Sequence, residues 1–374
     1  MRVDLDLKVD IERTPRAVQL EGIFDVPETR HSSASYHFDV PLHEKPWQIG
    51  LIVGPSGAGK TSVARHLFGD NIVQGYDWHP TRSLVDSFDP KHSIRDITAA
   101  LSAVGFSSPP SWLKPFRVLS NGEQFRTTMA RALLDDRELI VVDEFTSVID
   151  RQVAKIGSCA ISKAIRRTDR KFIAVSCHDD IVDWLQPDWI LEPHASRFAW
   201  RSQRRRPEIE LEIRRVNSSL WSLFAPHHYM TAELNKSATC FAAYHAGRPV
   251  AFSSWLPFVG YLKGDSQARR THRNVCLPDF QGVGIGGALV DTIASAWSAH
   301  GLRSFHRTAH PGDIAAHVRN AKWKLTSHGF TAADTGKMKS LAKTRTVGRR
   351  AASFEYIGTP MDKQEASALL YQEG

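Results

Sequence analysis

The chain has 374 residues, a formal net charge of +8 and an apolar fraction of 42%. At about 150 residues per domain, that length suits two domains, each with enough apolar residues for a core. No apolar run approaches the ~18 residues that cross a bilayer, and the opening MRVDLDLKVD alternates charged and apolar residues, unlike a secretion signal, so a cytoplasmic protein without a membrane part of its own is expected.

Along the chain, the first legible unit is WQIGLIVGPSGAGKTSVARHLF, read as strand, loop and helix. Ile49, Leu51, Ile52 and Val53 suit a strand buried on both faces. The loop GPSGAGKTS fits GxxxxGK[ST], a pattern expected by chance in roughly one chain in a hundred of this length. Gly54, Gly57 and Gly59 let the backbone amides turn toward phosphate oxygens, with Ser56 and Ser62 beside them. The helix beginning near Lys60 adds its positive end. Lys60 reaches the β- and γ-phosphates of a nucleotide, and the Thr61 hydroxyl is a ligand for Mg²⁺.

Four further segments follow in order: LSNGEQFRTTMARALL (119–134), RELIVVDEF (137–145), SVID (147–150) and SCHDD (176–180). Together with the phosphate loop they resemble, over residues 20–195, the ABC-type ATPases: signature with its helix, Walker B strand, D-loop and switch histidine. Asn121 replaces a signature glycine, and Glu123 stands where glutamine is usual. The resemblance implies that Asp143 holds Mg²⁺, that Glu144 polarises the attacking water and that His178 is the switch histidine. It also implies a homodimer in which Ser120 and Gly122 of one copy reach the ATP held by the other.

Two features depart from that family. Lys60 and Ser120 are only sixty positions apart, so the helical subdomain is trimmed. No glutamine falls where the family's Q-loop is expected; Asp86 lies nearest that place, and Gln74 is too early. Both departures argue against transport. Tyr36 and Phe38 are candidates for stacking on adenine, with core packing the more ordinary role.

Basic residues then cluster at Arg197, Arg201, Arg204, Arg205 and Arg206, and again from Lys337 to Arg350. Such runs are either a nucleic-acid footprint, for DNA or RNA, or solvated linker and loop. Cys159, Cys177, Cys240 and Cys276 form no CxxC pair, which speaks against a cysteine zinc site.

From about residue 210 a second α/β pattern begins. ATCFAAYHAGRPVAFSSWL reads as a hairpin and RTHRNVCLPDF as a strand. QGVGIGGALVDTIASAWSAH reads as a glycine-rich loop opening a helix, LRSFHRTAHP as a strand, GDIAAHVRNAKWKL as a helix and SHGF as a turn. LPDFQGVGIGGALV resembles motif A of the GNAT acyltransferases, over residues 215–360. A dinucleotide-binding loop is the rival reading, but no acidic residue stands at the right distance. The resemblance implies that Gln281, Gly282, Gly284 and Gly286 cradle the pyrophosphate of acetyl-CoA or another acyl-CoA. A backbone amide near Cys276 and Leu277 would polarise the thioester. The family's usual acidic tyrosine is missing, since Trp323 and Leu325 stand in its region. Substitutes lie in HHYMTAELNK, taken as about two helical turns, and in HRTAHP, taken as strand with His306 and His310 on one face. Tyr229 and His310 are the preferred catalytic pair.

The expected architecture is an α/β P-loop NTPase domain of the ABC type (1–195), a basic linker (196–214), an α+β GNAT domain (215–360) and a tail (361–374). The order resembles bacterial and phage fusions of an ABC-type ATPase to an acetyltransferase. The expected function is an ATPase coupled to acyl-CoA-dependent N-acyl transfer, possible acceptors including nucleic acid. The alternatives are a dimeric ATP-driven switch whose GNAT fold only binds CoA and, last, a transporter ATPase subunit.

Overall fold

The computed structural model describes residues 1–24, 27–28, 30–201, 206–228, 233–258, 267–330 and 350–371. Its elements run β1 (Arg2–Asp10), α1 (Pro15–Phe24), β2 (His31–Asp39), β3 (Ile49–Val53) and α2 (Lys60–Phe68). Then come α3 (Ile94–Ala103), α4 (Pro109–Trp112), α5 (Asn121–Leu134), β4 (Leu139–Val142), α6 (Arg151–Ile165) and β5 (Lys171–Ser176). Next are α7 (Val182–Leu185), β6 (Trp189–Glu192), β7 (Arg197–Trp200), β8 (Glu212–Val216), α8 (Trp221–Phe224), β9 (Thr239–His245) and β10 (Arg248–Pro257). The chain ends with β11 (Ala268–Cys276), α9 (Ile285–Ala299), β12 (Arg303–Thr308), α10 (Pro311–Arg319), β13 (Trp323–Phe330), β14 (Arg350–Tyr356) and α11 (Lys363–Tyr371).

Two compact units emerge, and they do not follow the linear division of the sequence. The first comprises residues 1–76, 135–158 and 162–207; the second comprises 77–134, 159–161 and 208–374. The segment that carries the signature, assigned on sequence to the ATP-binding side, is therefore in the same unit as the second glycine loop.

In the first unit, β4, β5, β3 and β6 are parallel neighbours in that order, and β7 closes the sheet antiparallel to β6. β3 is buried along its whole length, as its unbroken apolar run requires of an inner parallel strand. The antiparallel pair β1–β2 contributes Val3 and Tyr36 to the same core as Ile52, Val175 and Trp189. Trp189 lies against Gly50, where a Cβ would come within 2.0 Å of the indole.

The start of β3 is pinned by Asp188. Its carboxylate accepts from the amides of Gln48 (2.8 Å) and Ile49 (2.9 Å) and from Arg166 Nη1 (2.8 Å) and Nη2 (2.9 Å). Partial burial alone would raise this carboxyl's pKa; Arg166 and the two amides outweigh it and hold the group below the usual range.

In the second unit, seven strands lie in the order β8, β9, β10, β11, β12, β14, β13. Every neighbouring pair is antiparallel except β11 and β12. A parallel pair needs a crossover, and α9 provides it, burying Leu289, Ile293 and Trp297 in the main core. β11 and β12 pair only through Ala268–Arg270 and Arg303–Phe305, so the ladder ends before Thr271 and His306. The expected hairpin is β9–β10, turned at Ala246 (φ 48°) and Gly247 (φ 75°), as a two-residue loop of mirror-image type demands.

Three local expectations are corrected. The segment from His227 does not start a two-turn helix: Ala225–His227 is a single 3₁₀ turn and His228 is extended. The helix of 312–325 stops at Arg319, because Asn320 turns extended and β-structure begins at Trp323. SHGF is the end of strand β13, not a turn.

Asp188→Asn should destabilise the protein by about 2 kcal/mol at neutral pH, because the charge that answers Arg166 is lost. The folded-state pKa of Asp188 is depressed, so the wild-type advantage is whole above the unfolded value of about 4 and shrinks as pH falls through the folded value. Urea denaturation of both proteins from pH 7 to pH 3 checks the size and the direction.

Candidate functional site

The parallel register aligns the carboxyl ends of the first unit's strands. Val53 of β3 pairs with Ser176 of β5, and Val142 of β4 pairs with Ala174. The chain leaving β3 enters the glycine loop, that leaving β4 begins Asp143–Glu144, and that leaving β5 reaches His178. Three of the sequence motifs thus meet at one sheet edge, where open α/β sheets bind ligands.

Within the loop, Gly57 (φ 79°) and Gly59 (φ 74°) occupy the left-handed region. Gly59 is required twice over, because a Cβ there would fall 2.0 Å from the Tyr36 hydroxyl. Tyr36 is spent on that contact and on the core, so it is not an adenine platform; Phe38 also packs on the core. Lys60 folds back, its ammonium donating to the Pro55 carbonyl at 2.7 Å. Thr61 donates its hydroxyl proton to Asp143 Oδ1 at 3.2 Å, and the Glu144 amide donates to the same oxygen at 2.9 Å. Glu144 itself is exposed and held at φ 51°, a left-handed conformation uncommon outside glycine. His178 is half-buried, its amide donating to Ser176 Oγ at 3.1 Å. Asp150 caps α6 by accepting from the Gln152 amide.

One residue at this edge escapes a reading by spacing. Ile72 makes a parallel bridge to Val141, and the Val73 amide donates to the Val141 carbonyl at 2.8 Å. This stub lies beside β4, so Gln74 leaves the sheet at the level of Asp143. Asp86, nearest the expected place by counting, belongs to the second unit and bonds Ser83. The signal was the Asn-Ile-Val run before Gln74, too short to read as a strand on its own.

In the second unit, Ser120 begins the signature helix through a capping box: its amide donates to Glu123 Oε2 (3.0 Å), and the Glu123 amide donates back to Ser120 Oγ (3.3 Å). Glutamate in place of the usual glutamine thereby closes the helix start, beside half-buried Gly122. One turn further, the fully buried Arg126 donates to the carbonyls of Gly105 (2.7 Å), Asp279 (2.9 Å) and Pro278. Burial lowers this guanidinium to about 10, still charged at neutral pH.

The second glycine loop meets the same segment. The Ser107 amide donates to Gln281 Oε1 at 2.5 Å, while Gln281 Nε2 donates to the Cys276 carbonyl at 2.8 Å. A Cβ on Gly282 would lie 2.6 Å from Gly105 Cα, and one on Gly105 would lie 2.6 Å from the Gln281 carbonyl. Gln281 and Gly282 are therefore committed to packing. Gly284, at φ 102° before α9, has open space at its Cβ position, and Gly286 has only an ordinary contact with Cys276. The Leu277 amide donates to the Val250 carbonyl, and burial pushes the Cys276 thiol up to about 12.

The preferred catalytic pair is not brought together among the described residues. Tyr229 lies outside them. His310 is not on a strand face: β12 ends at Thr308, and His310 caps α10, its Nδ1 accepting from the Asp313 amide at 3.4 Å. Burial lowers its pKa. His306 does lie on the buried face of β12. Trp323 is buried and donates its indole N–H to Asp291. In the first basic cluster, Arg197 pairs with Glu192, Arg201 with Asp183, and Arg206 bonds Ser162; Arg204, Arg205 and residues 337–349 lie outside the described residues.

The buried strand, glycine loop and α2, with parallel neighbours on both sides, define a P-loop nucleotide-binding fold. No protein-family model matches the chain. It is similar to the zinc import ATP-binding protein ZnuC of Pseudomonas syringae pv. syringae, 32% identical over 133 residues, 30% of this chain and 50% of that protein. The ZnuC of Cereibacter sphaeroides is 30% identical over 164 residues, 38% of this chain and 65% of that protein. A probable metal transport system ATP-binding protein of Thermotoga maritima is 28% identical over 152 residues, 34% of this chain and 62% of that protein. The chain thus spans between half and two thirds of the length of these relatives. Among solved structures, the ATP-binding cassette MJ0796, a dimer bound to ADP and Pi, aligns at 13% identity and a TM-score of 0.36, covering 46% of this chain and 94% of that one. The phosphate-loop part of the chain is thus similar to the ATP-binding proteins of metal import and transport systems.

Arg126→Met should cost about 3 kcal/mol, because three carbonyls of one buried site lose their donor together. Arg126→Lys should recover only part, since an ammonium lacks the planar fork. Urea denaturation of the full chain measures both.

Proposed function

We propose that the chain is an ABC-type ATPase that binds ATP with Mg²⁺ at the phosphate loop and hydrolyses it. The observation that carries this reading is the Thr61–Asp143 hydrogen bond of 3.2 Å. It joins the hydroxyl and carboxylate that the loop and the β4 end contribute, an all-oxygen donor pair of the kind Mg²⁺ prefers. A bound Mg²⁺ supplies charge neutralisation between the β- and γ-phosphates. Lys60 is then drawn from the Pro55 carbonyl to phosphate, and Glu144, exposed beside Asp143, orients water. His178 approaches from the β5 end. Gln74 takes the part sought at Asp86, linking the nucleotide to the residues that follow. Each motif occurs once, so two chains complete two sites, with Ser120 and Gly122 of each serving the other.

For the output of this ATPase, the relatives support transport. All three are named as ATP-binding proteins of metal import or transport, and the chain is proposed to serve as an ATP-binding subunit of such a system. This reverses the order of the sequence expectations, where the short stretch between Lys60 and Ser120 set transport last. No helix among the described residues is long and apolar enough to cross a membrane.

A second reading rests on a separate observation, the strand order of the second unit with its glycine loop opening α9. Strands that stop pairing after Arg270 and Phe305, and open Gly284 and Gly286 at a helix start, support a GNAT-like fold that binds an acyl-CoA. An acyl-CoA supplies an activated thioester. The fit covers half of the loop, because Gln281 and Gly282 are occupied by their own packing.

Glu144→Gln should lower ATP turnover by at least about 100-fold while leaving ATP binding intact and accumulating the dimer; Lys60→Ala should lose binding itself. Phosphate release and light scattering with ATP test both. Unchanged turnover in Glu144→Gln would refute the assignment, and failure to co-purify with any integral membrane protein would count against transport. Calorimetry with acetyl-CoA tests the second reading: wild type should bind, and Gly284→Asp, which puts a side chain and a negative charge at the helix start, should not.

A further inference from the structure

We propose that His306, Asp313 and His317 form a site for a divalent transition-metal ion, of which Zn²⁺ is the natural probe. Among the described residues it is the one group of three His, Cys, Asp or Glu side chains whose ligand atoms all lie within 4.8 Å of one another. The residues come from two elements. His306 points from β12 into the unit, and Asp313 and His317 stand four apart, hence on one face of α10.

The donor set is two imidazoles and one carboxylate, which suits zinc and other first-row divalent ions and does not suit Mg²⁺ or Ca²⁺. His306 Nε2 lies 2.8 Å from Asp313 Oδ2, and His317 Nδ1 lies 3.0 Å from Asp313 Oδ1. Donors bound at about 2.1 Å to a common ion lie roughly 3 Å apart, so little movement admits one. Each imidazole proton now shared with the carboxylate would leave as the ion enters.

The surroundings match what a metal site needs. The second nitrogen of His306, Nδ1, lies 2.9 Å from the Thr271 hydroxyl, which fixes the ring from behind. Trp323 packs edge-on against both imidazoles, and Phe354 lies 5.2 Å from His317, which keeps the pocket dry. His306 and His317 are buried, while Asp313 is 34% exposed and gives the ion a way in. His317 Nδ1 also lies 3.0 Å from the Asp313 backbone carbonyl, and its Nε2 is buried without a hydrogen-bond partner. With three protein ligands, a fourth position would remain for water or another ligand.

The test uses the full chain, purified without nucleotide, loaded with Zn²⁺ or Co²⁺, and washed free of loose ions. Elemental analysis should find about one ion per chain in the wild type and in Lys60→Ala, which removes the phosphate-loop lysine. Asp313→Asn and His317→Gln should bind at least about 10-fold more weakly, as should Thr271→Val. The Co²⁺ visible spectrum should show nitrogen and oxygen ligation without a thiolate band. A wild-type protein that retains no ion, a thiolate band, or folded Asp313→Asn retaining the ion with wild-type affinity would each overturn the proposal. The result does not depend on ATP or acyl-CoA binding, so it stands or falls separately from the proposed function.

Discussion

The interaction on which the second unit depends is the burial of Arg126. A guanidinium taken out of water is tolerable only when fixed acceptors replace the solvent. Here the acceptors are backbone carbonyls from two distant stretches, Gly105 on one side and Pro278 and Asp279 on the other. Arginine suits this because its planar fork presents several donors at fixed angles. The arrangement requires the two backbones to approach closely, and Gly105 facing Gly282 lets them do so. Remove the charge and three carbonyls are stranded; add a Cβ at either glycine and the segments separate. The signature helix and the turn before the second glycine loop are consequently one packed body.

That constraint explains why the compact units cut across the linear order. Residues 77–134 sit in sequence between the phosphate loop and the Walker B strand, yet Ser107 and Arg126 bond residues 278, 279 and 281. The first unit is held by different means: a fully buried parallel strand, Trp189 against Gly50, and Asp188 gathering two amides and Arg166. The edge of its sheet at the carboxyl ends of the strands is left exposed and partly strained. Glu144 sits in the left-handed region at φ 51°, close to the Asp143 carboxylate that also receives Thr61. Unfavourable backbone geometry held in place by neighbours is often stored where function needs a side chain aimed outward.

What the sequence made legible was chemistry confined to short segments. The phosphate loop, the Asp143–Glu144 pair and the turn into α9 each encode their geometry within a dozen residues, and all occupy the predicted element types. What it hid were decisions made between segments. Gln74 looked misplaced by counting, since a one-bridge strand leaves no periodic signal; only the pairing of Ile72 with Val141 aligns it with Asp143. His310 looked like a strand residue by alternation, but Pro311 fits the first turn of a helix, and the strand ends before it. Nothing in the sequence marks Arg126 as the buried charge of its helix. The arginine cluster near residue 200 suggested a basic footprint, and its described members instead find carboxylates or a hydroxyl within the first unit.

The two glycine loops show how the same motif chemistry diverges through its neighbours. Around Gly57 and Gly59 the backbone is open toward solvent, Tyr36 supports it from beneath, and Lys60 holds only a loop carbonyl. Around Gln281 and Gly282 the equivalent space is filled by residues 105–107, and the glutamine side chain spans Ser107 and Cys276. A helix start still faces outward at Gly284. The first loop turns the Lys60 ammonium and the Ala58 amide onto its own Pro55 carbonyl, whereas the second commits Gln281 and Gly282 to contacts with residues 105–107. Any displacement of α5 must therefore either carry residues 278–282 along or break the two hydrogen bonds from Arg126 to Pro278 and Asp279. A packed interior favours the first outcome, because close-packed contacts resist gradual deformation.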